Sequence, residues 1–260
     1  MASVTQRIRV IKQPKGGFIN PKNFKIIEYN SEINLHECEN VHPSLVGLAV
    51  DYLSRFIVTN NAIEAFKISG IGAKILKLEQ PFSDLLSQVK GLDDCSIVNA
   101  VKLSCFDCAF RAGPHTYKPF ESVNPNSETI SNIRIMVERS INFFRRRGPI
   151  IEEGFIFPGG YTKIIDAGDG DFLTRDTLWD FKVSKNDITK DHTLQLLVYY
   201  LMGIHSKNEK FKLIRKIGIF NPRLNKEYIL DVKDISYDVQ YYVARYVIGY
   251  SKFVKLSSFK

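Results

Sequence analysis

An acid and a lysine share one face of a predicted strand. Asp180 and Lys182 lie two residues apart in the run Leu178–Val183, in which apolar and aromatic side chains alternate with charged ones. Successive side chains of a strand point to opposite faces, so Trp179 and Phe181 point away from this pair, and the alternation predicts a half-buried strand. A carboxylate can hold a divalent cation, and a nearby ammonium group can stabilise a developing anion. Together these two functions favour hydrolysis of a phosphate ester.

Three further polar residues flank this strand. Asp171 lies in a glycine-punctuated strand start that begins at Gly168, and Gln195 and Tyr199 lie four residues apart on one face of a predicted helix. Carboxylates on neighbouring strands can converge on Mg²⁺, which keeps several waters and needs only two or three of them. The amide and the phenol would face the same cleft as hydrogen-bond donors. The alternative is a surface ion pair between the acid and the lysine of the strand, with Tyr199 in the core.

The order of these residues resembles the RecB-like branch of the PD-(D/E)XK nucleases. That branch carries G-x-x-D and D-x-K on successive strands and Q-x-x-x-Y on the following helix, and residues 168–199 contain all three motifs in this order. The resemblance favours Asp171 over its neighbours Asp166 and Asp169, because Asp171 lies three residues after Gly168. The catalytic residues that the resemblance implies are Asp171, Asp180, Lys182, Gln195 and Tyr199.

Asp51 is an acid on a helix that is otherwise committed to the core. The predicted helix Leu45–Val58 is apolar nearly all round, which is typical of a buried helix. In RecB-like nucleases the first core helix often carries G-x-x-x-H with a metal-binding histidine, and here the corresponding run from Gly47 ends in Asp51. A buried carboxylate must be neutralised, paired or bound to a metal. The alternatives are an ion pair with Arg55 and a metal ligand in the cleft of the other acids; we predict the second.

Mg²⁺ or Mn²⁺ is the expected cofactor, because the candidate ligands are all hard oxygen donors. The predicted metal ligands are Asp51, Asp171 and Asp180. Some RecB-like nucleases also bind an iron–sulfur cluster through four cysteines, three of which follow the Q-x-x-x-Y helix. Here no cysteine follows Cys108, so no iron–sulfur cluster is expected. We interpret the four cysteines as reduced, buried structural thiols.

The chain is basic, which favours a polyanionic partner such as DNA. Lys and Arg number 36 against 28 Asp and Glu, giving a net charge of +8 and a pI near 9.2. The candidate nucleic-acid contacts are Arg145, Arg146, Arg147, Lys185 and Arg223. The arginine triplet also suits the C-terminus of a helix in its own right, so both interpretations stay open. No base-reading motif is visible, so contacts mainly with phosphates are predicted.

Composition and hydropathy place the chain among globular proteins. Hydrophobic residues make up 44% and charged residues 25%. No apolar run is long enough to cross a bilayer and the amino terminus lacks the apolar core of a signal peptide, so a cytoplasmic protein without a membrane partner is expected. Gly70–Lys74 lacks the spacing of a phosphate-binding loop. With no motor motif in the chain, a helicase or other DNA-processing protein would act in trans.

The predicted fold is mixed α/β, a single nuclease domain over residues 1–260. The resemblance implies a restriction-endonuclease-like core: a central mixed sheet flanked by helices, with a helical insertion after the first core helix. The predicted parts are an N-terminal arm or strands (1–40), the helical insertion (60–147), the catalytic sheet with the Q-x-x-x-Y helix (150–235) and a C-terminal helix (236–260). Within these parts the pattern predicts helices over 95–111 and 127–147, and strands near 153–157, 162–166, 170–173, 178–183, 216–220 and 228–232.

Two functions from different classes are compatible with these features. The favoured one is a metal-dependent DNA nuclease, with an exonuclease somewhat favoured over an endonuclease. The alternative is a non-catalytic nucleic-acid-binding or scaffold subunit on the same fold, within a larger DNA-processing or defence assembly. The acids distinguish the two, because a binding module has no reason to keep Asp171, Asp180 and Lys182 converging.

Overall fold

A mixed six-stranded sheet forms the centre of the fold. The computed structural model describes residues 2–30 and 33–251. The strands are β1 (Ala2–Ser3), β2 (Lys25–Glu28), β3 (Glu152–Glu153), β4 (Ile165–Ala167), β5 (Phe172–Leu173), β6 (Thr177–Phe181), β7 (Lys216–Asn221) and β8 (Lys226–Asp231). The order in the sheet is β2–β8–β7–β6–β5–β3; β6 and β7 are parallel and the other neighbours are antiparallel. β1 and β4 form a separate parallel pair.

Helices cover both faces of this sheet. They are α1 (Val4–Val10), α2 (Pro43–Thr59), α3 (Ala62–Ala65), α4 (Lys67–Leu76), α5 (Glu79–Ser87), α6 (Asp94–Ser104), α7 (Asp107–Arg111), α8 (Ser127–Arg147), α9 (Lys190–His205) and α10 (Tyr237–Tyr242). A π-helical segment, Val243–Ile248, continues α10. The prediction of a mixed α/β fold with a central mixed sheet flanked by helices is confirmed.

Strand β6 lies inside the sheet, and all five of its residues are buried. Leu178 belongs to the core on the α9 side, whereas Trp179 and Phe181 belong to the core on the α2 side. The expected alternation of faces is therefore present, but the prediction of a half-buried strand is wrong. Helices cover both faces of the sheet at this strand, so neither face meets solvent. Asp180 has the same parity as Leu178 and faces α9.

The segment between α2 and β3 packs as a helical layer on the α2 side of the sheet. Helix α2 packs against α6 and α8. Phe143 of α8 stacks on Phe220 with 4.2 Å between ring centroids and meets Trp179 edge-on at 4.8 Å. Helix α8 has the predicted bounds, whereas the single helix predicted over 95–111 is divided into α6 and α7.

The N-terminal segment contains a helix that the sequence analysis assigned to strands or an arm. Ser3 caps α1 in a capping box with Gln6. Val4 and Ile8, four residues apart, are buried in the core on the α9 side. Their spacing is helical, so residues 4–10 form a helix although apolar and basic residues alternate in this part of the sequence. The strand prediction is fulfilled by β2, which joins the central sheet beside β8, and by the two-residue β1, which pairs with β4.

The strands predicted over 153–157, 162–166 and 170–173 and the C-terminal helix differ most from the observed elements, and the third of these strands is limited to β5, Phe172–Leu173. The strand expected over 153–157 is limited to β3, after which Phe155 and Phe157 turn into the core. The strand expected over 162–166 is β4, which pairs with β1 outside the central sheet. The C-terminal helical segment ends at Ile248 and is followed by Gly249, whose φ of +96° is left-handed; the predicted residues 252–260 lie outside the described part of the chain.

Two of the four cysteines contradict the prediction of buried thiols. Cys38 and Cys95 are exposed, Cys105 is buried and Cys108 is half-buried. Burial, together with the neighbouring Cys108, raises the pKa of the Cys105 thiol to about 12.

Among residues 2–30 and 33–251, no helix has both the length and the apolar character needed to cross a membrane.

Candidate active site

The predicted catalytic and metal-binding residues line one cleft at the carboxyl end of β6. The cleft has a volume of about 850 Å³. Its walls come from the N-terminal segment, α2, α7, the loop between β4 and β5, the end of β6 and α9. The predicted residues in its lining are Asp51, Asp171, Asp180, Lys182, Gln195 and Tyr199. The fold therefore brings together segments that are far apart in the sequence.

Asp180 and Lys182 form an ion pair at the base of this cleft. Asp180 is buried within β6, and Lys182 lies just beyond the end of that strand on the same face. Lys182 Nζ donates a hydrogen bond of 3.0 Å to Asp180 Oδ1. The same nitrogen lies 2.8 Å from Oδ2, without the geometry of a hydrogen bond, so Oδ2 is a buried oxygen that accepts none from the described residues.

The pKa values of both partners are raised, that of Asp180 mainly by burial and that of Lys182 by the neighbouring carboxylates. Burial raises the pKa of Asp180 to about 6, with Asp171 and Asp51 acting in the same direction against the attraction of Lys182. Burial lowers the pKa of Lys182, but the attraction of the three carboxylates outweighs it and the pKa is raised. Lys182 therefore remains an ammonium group at neutral pH, while Asp180 keeps its charge against a cost of desolvation.

The β5–β6 hairpin positions Asp171 beside Asp180. The two strands are antiparallel, and both acids lie one residue beyond the last positions that pair in the hairpin. Asp171 Oδ2 accepts a hydrogen bond of 2.6 Å from the backbone N–H of Phe181, and its Oδ1 lies 3.5 Å from a terminal nitrogen of Arg55. One contact comes from the hairpin itself and the other from α2, so Asp171 connects the sheet to the helical layer.

Asp51 is paired with Arg55 and also lies in the cleft of the other acids. Arg55 Nε donates a hydrogen bond of 2.9 Å to Asp51 Oδ1, and Arg55 contacts Asp171 as well. Burial raises the pKa of Asp51 to about 6; Arg55 lowers it and Asp171 raises it. The two alternatives for Asp51 are therefore not exclusive. Arg55 does not line the cleft, so it holds the two carboxylates from behind.

Gln195 and Tyr199 face the acids from α9. Gln195 Nε2 donates a hydrogen bond of 2.8 Å to the Tyr199 hydroxyl oxygen. Burial raises the pKa of Tyr199 well above its ordinary value, and the negative charge of Asp180 acts in the same direction. The Tyr199 ring is held by Phe157, with 5.5 Å between centroids. Tyr199 is therefore a neutral phenol whose hydroxyl can donate a hydrogen bond into the cleft.

The donor set of the cleft suits a hard divalent cation. Its acids offer carboxylate oxygens only, which are the ligands that Mg²⁺ and Mn²⁺ prefer. The buried Asp180 Oδ2 accepts no hydrogen bond from the described residues and lies 2.8 Å from Lys182 Nζ, so it is an oxygen that a divalent ion could also bind. Within the described ranges no three Asp, Glu, His or Cys side chains are grouped closely enough to hold an ion. In this structure Arg55 and Lys182 contact the carboxylates instead.

The rival acids of the G-x-x-D loop lie in different places. Asp169 is exposed and lines the cleft, whereas Asp166 is exposed on β4 and is not part of the lining. Gly168 is required for packing, because a Cβ atom there would lie 2.7 Å from Val4 Cγ2 of α1. A Cβ atom at Gly47 would meet Val183 Cβ at 3.7 Å, an ordinary contact, so Gly47 does not hold open a large space.

The arginine triplet at the end of α8 is largely occupied by internal contacts. Arg147 Nε donates a hydrogen bond of 2.6 Å to Glu227, whose side chain is fully buried. Arg146 lies 3.8 Å from the same carboxylate, and its guanidinium group stacks 3.6 Å from the Tyr29 ring centroid. Arg145 is exposed. None of the three lines the cleft, and in this structure Arg146 and Arg147 connect the end of α8 to Glu227 of β8 and, through Arg146, to Tyr29 just after β2.

Lys185 and Arg223, the other two predicted nucleic-acid contacts, also have partners within the chain. Arg223 makes an ion pair of 2.8 Å with Glu39, and both side chains are nearly buried, at 7% and 5% exposed. A guanidinium group in this position is not available to a phosphate. Lys185 is exposed, and its Nζ donates a hydrogen bond of 3.1 Å to the backbone oxygen of Glu37. Neither residue is part of the cleft lining.

Residues of the helical layer that the sequence analysis did not select complete the cleft. Phe110 and Arg111 of α7 are part of the lining. Arg111 is held by Asp107, a buried acid that neighbours the cysteines Cys105 and Cys108 in the sequence. The available signal was a helix-spaced pair, Asp107 and Arg111, next to an exposed aromatic residue, which is common in many proteins.

None of the protein-family models, curated proteins or solved structures compared with this chain matches it. The case for a function therefore depends on the residues of the cleft.

Proposed function

We propose that the chain is a metal-dependent DNA nuclease that hydrolyses phosphodiester bonds. One observation carries this proposal: acids from α2, from the start of β5 and from β6 line one cleft together with Lys182. The pKa of two of these acids, Asp51 and Asp180, is raised to about 6, so the cleft favours an additional positive charge. An oxygen-rich, electronegative cleft next to a fixed ammonium group suits phosphodiester hydrolysis.

In this proposal Asp51, Asp171 and Asp180 hold Mg²⁺ or Mn²⁺. When bound, the ion would supply an activated water and neutralise charge on the phosphate. Lys182 would stabilise the negative charge that develops in the transition state, which its raised pKa permits because the group stays protonated. Gln195 and Tyr199 would position the substrate or the attacking water through hydrogen bonds.

We also propose that the core of the fold is that of the RecB-like PD-(D/E)XK nucleases. Support comes from the motif order and from the arrangement of elements: a buried first helix, a helical insertion, a hairpin carrying both motif acids, the Gln195 helix and a parallel neighbour to β6. Asp51 departs from the histidine that this branch often carries at its position. The partner in this proposal is DNA, with any helicase supplied in trans.

A non-catalytic nucleic-acid-binding or scaffold subunit is the second candidate. The favouring observation is that Arg55 and Lys182 already contact the acids of the cleft. A cluster in which every acid has a cationic neighbour can be stable without a metal. The two candidates differ in what removal of the divalent cation does: it stops a nuclease and leaves a scaffold unchanged.

Cleavage of labelled linear and circular DNA tests the proposal. We expect hydrolysis with Mg²⁺ or Mn²⁺ and none in excess EDTA. Loss of linear DNA with survival of the circle would identify an exonuclease, whereas nicking of the circle would identify an endonuclease. Undiminished cleavage in EDTA would contradict the metal requirement, and an inert protein under all conditions would favour the scaffold.

A further inference from the structure

Phe110 and Arg111 lie at the end of α7 in the wall of the cleft, and the proposed chemistry does not use them. Phe110 is 48% exposed, although phenylalanine is one of the residue types most often found fully buried. The Arg111 side chain is 44% exposed. Both residues line the same cleft as the acids. An exposed aromatic ring beside an arginine is the combination with which proteins bind the base and the phosphate of an unpaired nucleotide.

Buried partners hold the Arg111 side chain in place. Its Nε lies 3.3 Å from Asp107 Oδ2, and Asp107 is almost fully buried. Asp107 in turn accepts hydrogen bonds from the Tyr52 hydroxyl and, at 2.5 Å, from Ser69 Oγ. Burial lowers the pKa of Arg111, but the effects of Tyr52, Asp169 and Asp107 are larger in sum and raise it above its ordinary value. The guanidinium group is therefore always charged. The fold thus presents a fixed cation at the cleft, with little entropy to lose on binding an anion.

Close packing also fixes the backbone of α7. A Cβ atom at Gly72 of α4 would lie 1.9 Å from the backbone oxygen of Phe106, the residue before α7. Helix α4 therefore approaches the start of α7 more closely than any other residue type would allow. Phe110 and Arg111 consequently occupy a rigid position relative to the helical layer, rather than a loop position.

We propose that Phe110 and Arg111 bind one unstacked nucleotide of single-stranded DNA, with Phe110 stacked on the base and Arg111 on a phosphate. This inference rests on the proposed nuclease function, because it assigns the substrate class of the same cleft. In a duplex both faces of an internal base are covered by its neighbours, so only an unpaired strand or a frayed end can offer a base to Phe110. The phosphate needs a fixed cation here, since the surrounding acids repel it. The volume of about 850 Å³ can hold a nucleotide.

Equilibrium binding in excess EDTA tests this proposal separately from catalysis. The probes are a fluorescein-labelled single-stranded oligodeoxynucleotide, the blunt duplex of the same sequence and an abasic strand of the same length. Phe110→Ala should weaken binding of the single strand roughly five- to 150-fold, the equivalent of about 1–3 kcal/mol for one stacked base. Phe110→Trp should keep the affinity. The abasic strand has no base to stack, so the wild type and Phe110→Ala should bind it equally.

Arg111→Gln should weaken binding of the single strand and of the abasic strand alike. It should also reduce the slope of log affinity against log salt by about 0.7, the value for one phosphate contact to a single strand. Arg111→Lys should retain part of the affinity and part of the salt slope that Arg111→Gln loses. Thermal melting identifies any loss of folding, which is a concern only for Arg111→Gln because Asp107 then lacks its cation.

Matched controls use residues away from the cleft. Ile63 is 75% exposed, and Arg175 is exposed at the opposite end of the β5–β6 hairpin, so Ile63→Ala and Arg175→Gln should bind as the wild type does. The proposal is overturned if the wild type does not bind the single strand, if Phe110→Ala binds it normally, or if Phe110→Ala loses the abasic strand equally. If the wild type does not cleave DNA, by contrast, the nuclease function is contradicted, and the binding results still decide whether Phe110 and Arg111 bind single-stranded DNA.

Discussion

At the scale of single residues, the cleft contains more negative than positive charge. The lining carries four acids, Asp51, Asp169, Asp171 and Asp180, against the two cations Lys182 and Arg111, and Arg55 contacts two of the acids from behind. Burial is the main cause of the pKa of about 6 at Asp51 and Asp180, and the charge of Asp171 raises both values further against the attraction of Arg55 and Lys182. A further cation would relieve this cost, and that need is the physical basis of the proposed metal site.

Lys182 is the residue whose removal should affect chemistry most. Lys182→Ala should lower the rate of DNA cleavage by at least about a hundredfold, because a preorganised charge at the reacting phosphate is lost. The protein should remain folded by circular dichroism. Lys233→Ala, an exposed lysine beyond the end of β8, is the matched control and should cleave normally. A Lys182→Ala protein that cuts at the wild-type rate would show that another group carries this role.

The acids of the cleft should make stability fall as the pH rises. The ordinary pKa of Asp51 and Asp180 is 3.8 and their folded value is about 6, so between these values the folded chain binds more protons than the unfolded chain. The free energy of unfolding therefore decreases across this window. Asp180→Asn cannot ionise, so it avoids this loss. The difference in melting temperature, variant minus wild type, should therefore increase from pH 4 to pH 7, and thermal scans at each pH measure it.

The same thermal scans can also contradict the predicted pH dependence. A constant difference between Asp180→Asn and the wild type across the window would mean that Asp180 ionises without cost. Added Mg²⁺ should stabilise the wild type at neutral pH more than Asp180→Asn, because the variant has lost a ligand.

At the scale of elements, patterns within one segment were predictable and pairings between segments were not. The bounds of α8 were predictable from the apolar residues along one of its faces and from the arginines that precede Gly148, and the shared face of Asp180 and Lys182 was predictable from strand alternation. The position of β2 was not predictable, because this strand pairs with β8, which lies almost at the other end of the sequence. Alternation within residues 1–30 resembled a strand although the capping box and the buried pair of α1 are helical.

The site shows the same limit. The motifs located the acids of β5 and β6, but the sequence offered Arg55 only as a partner for Asp51. Its contact with Asp171 depends on how α2 packs against the hairpin. The role of Phe110 and Arg111 depends on the corner between α6 and α7, which no local pattern separated from a continuous helix.

Close packing between α4 and the start of α7 should make Gly72 intolerant of any side chain. Gly72→Ala places a Cβ atom against the Phe106 backbone oxygen, which cannot rotate away, so we expect a loss of about 1–3 kcal/mol in the free energy of unfolding. Gly70→Ala on the same helix is the control. Its Cβ atom meets the Phe82 ring at 3.3 Å, a side chain that needs to shift by only a few tenths of an ångström, and alanine favours a helix, so little change is expected. Urea unfolding that finds the two variants equally stable contradicts this account of α4 and α7.

At the scale of the whole molecule, the net charge of +8 is less available to a ligand than its size suggests. Arg147 and Arg223 neutralise buried acids, and Arg146 is divided between Glu227 and the Tyr29 ring. Cations that hold the fold together contribute to the long-range field but do not release counterions at a DNA surface. The contacts to DNA should therefore be fewer than a count of basic residues implies.

Binding to DNA should depend strongly on salt and weakly on sequence. The sequence contains no base-reading motif, so phosphate contacts should dominate and the affinity should fall linearly on a log–log plot against salt. Anisotropy titrations with several unrelated sequences measure both properties. A marked preference for one sequence that persists at high salt is the result incompatible with this account.

The most direct measurement of the central claim is the anomalous scattering of Mn²⁺ in crystals of the wild-type protein. We predict an ion in the cleft with oxygen atoms of Asp51, Asp171 and Asp180 about 2.0–2.6 Å away, the range for hard cations. The Asp180 Oδ2 atom, which accepts no hydrogen bond from the described residues, should be among them. Mn²⁺ bound elsewhere, or an empty cleft with Asp51 still closed on Arg55 in a protein that cleaves DNA, would contradict the three-carboxylate site.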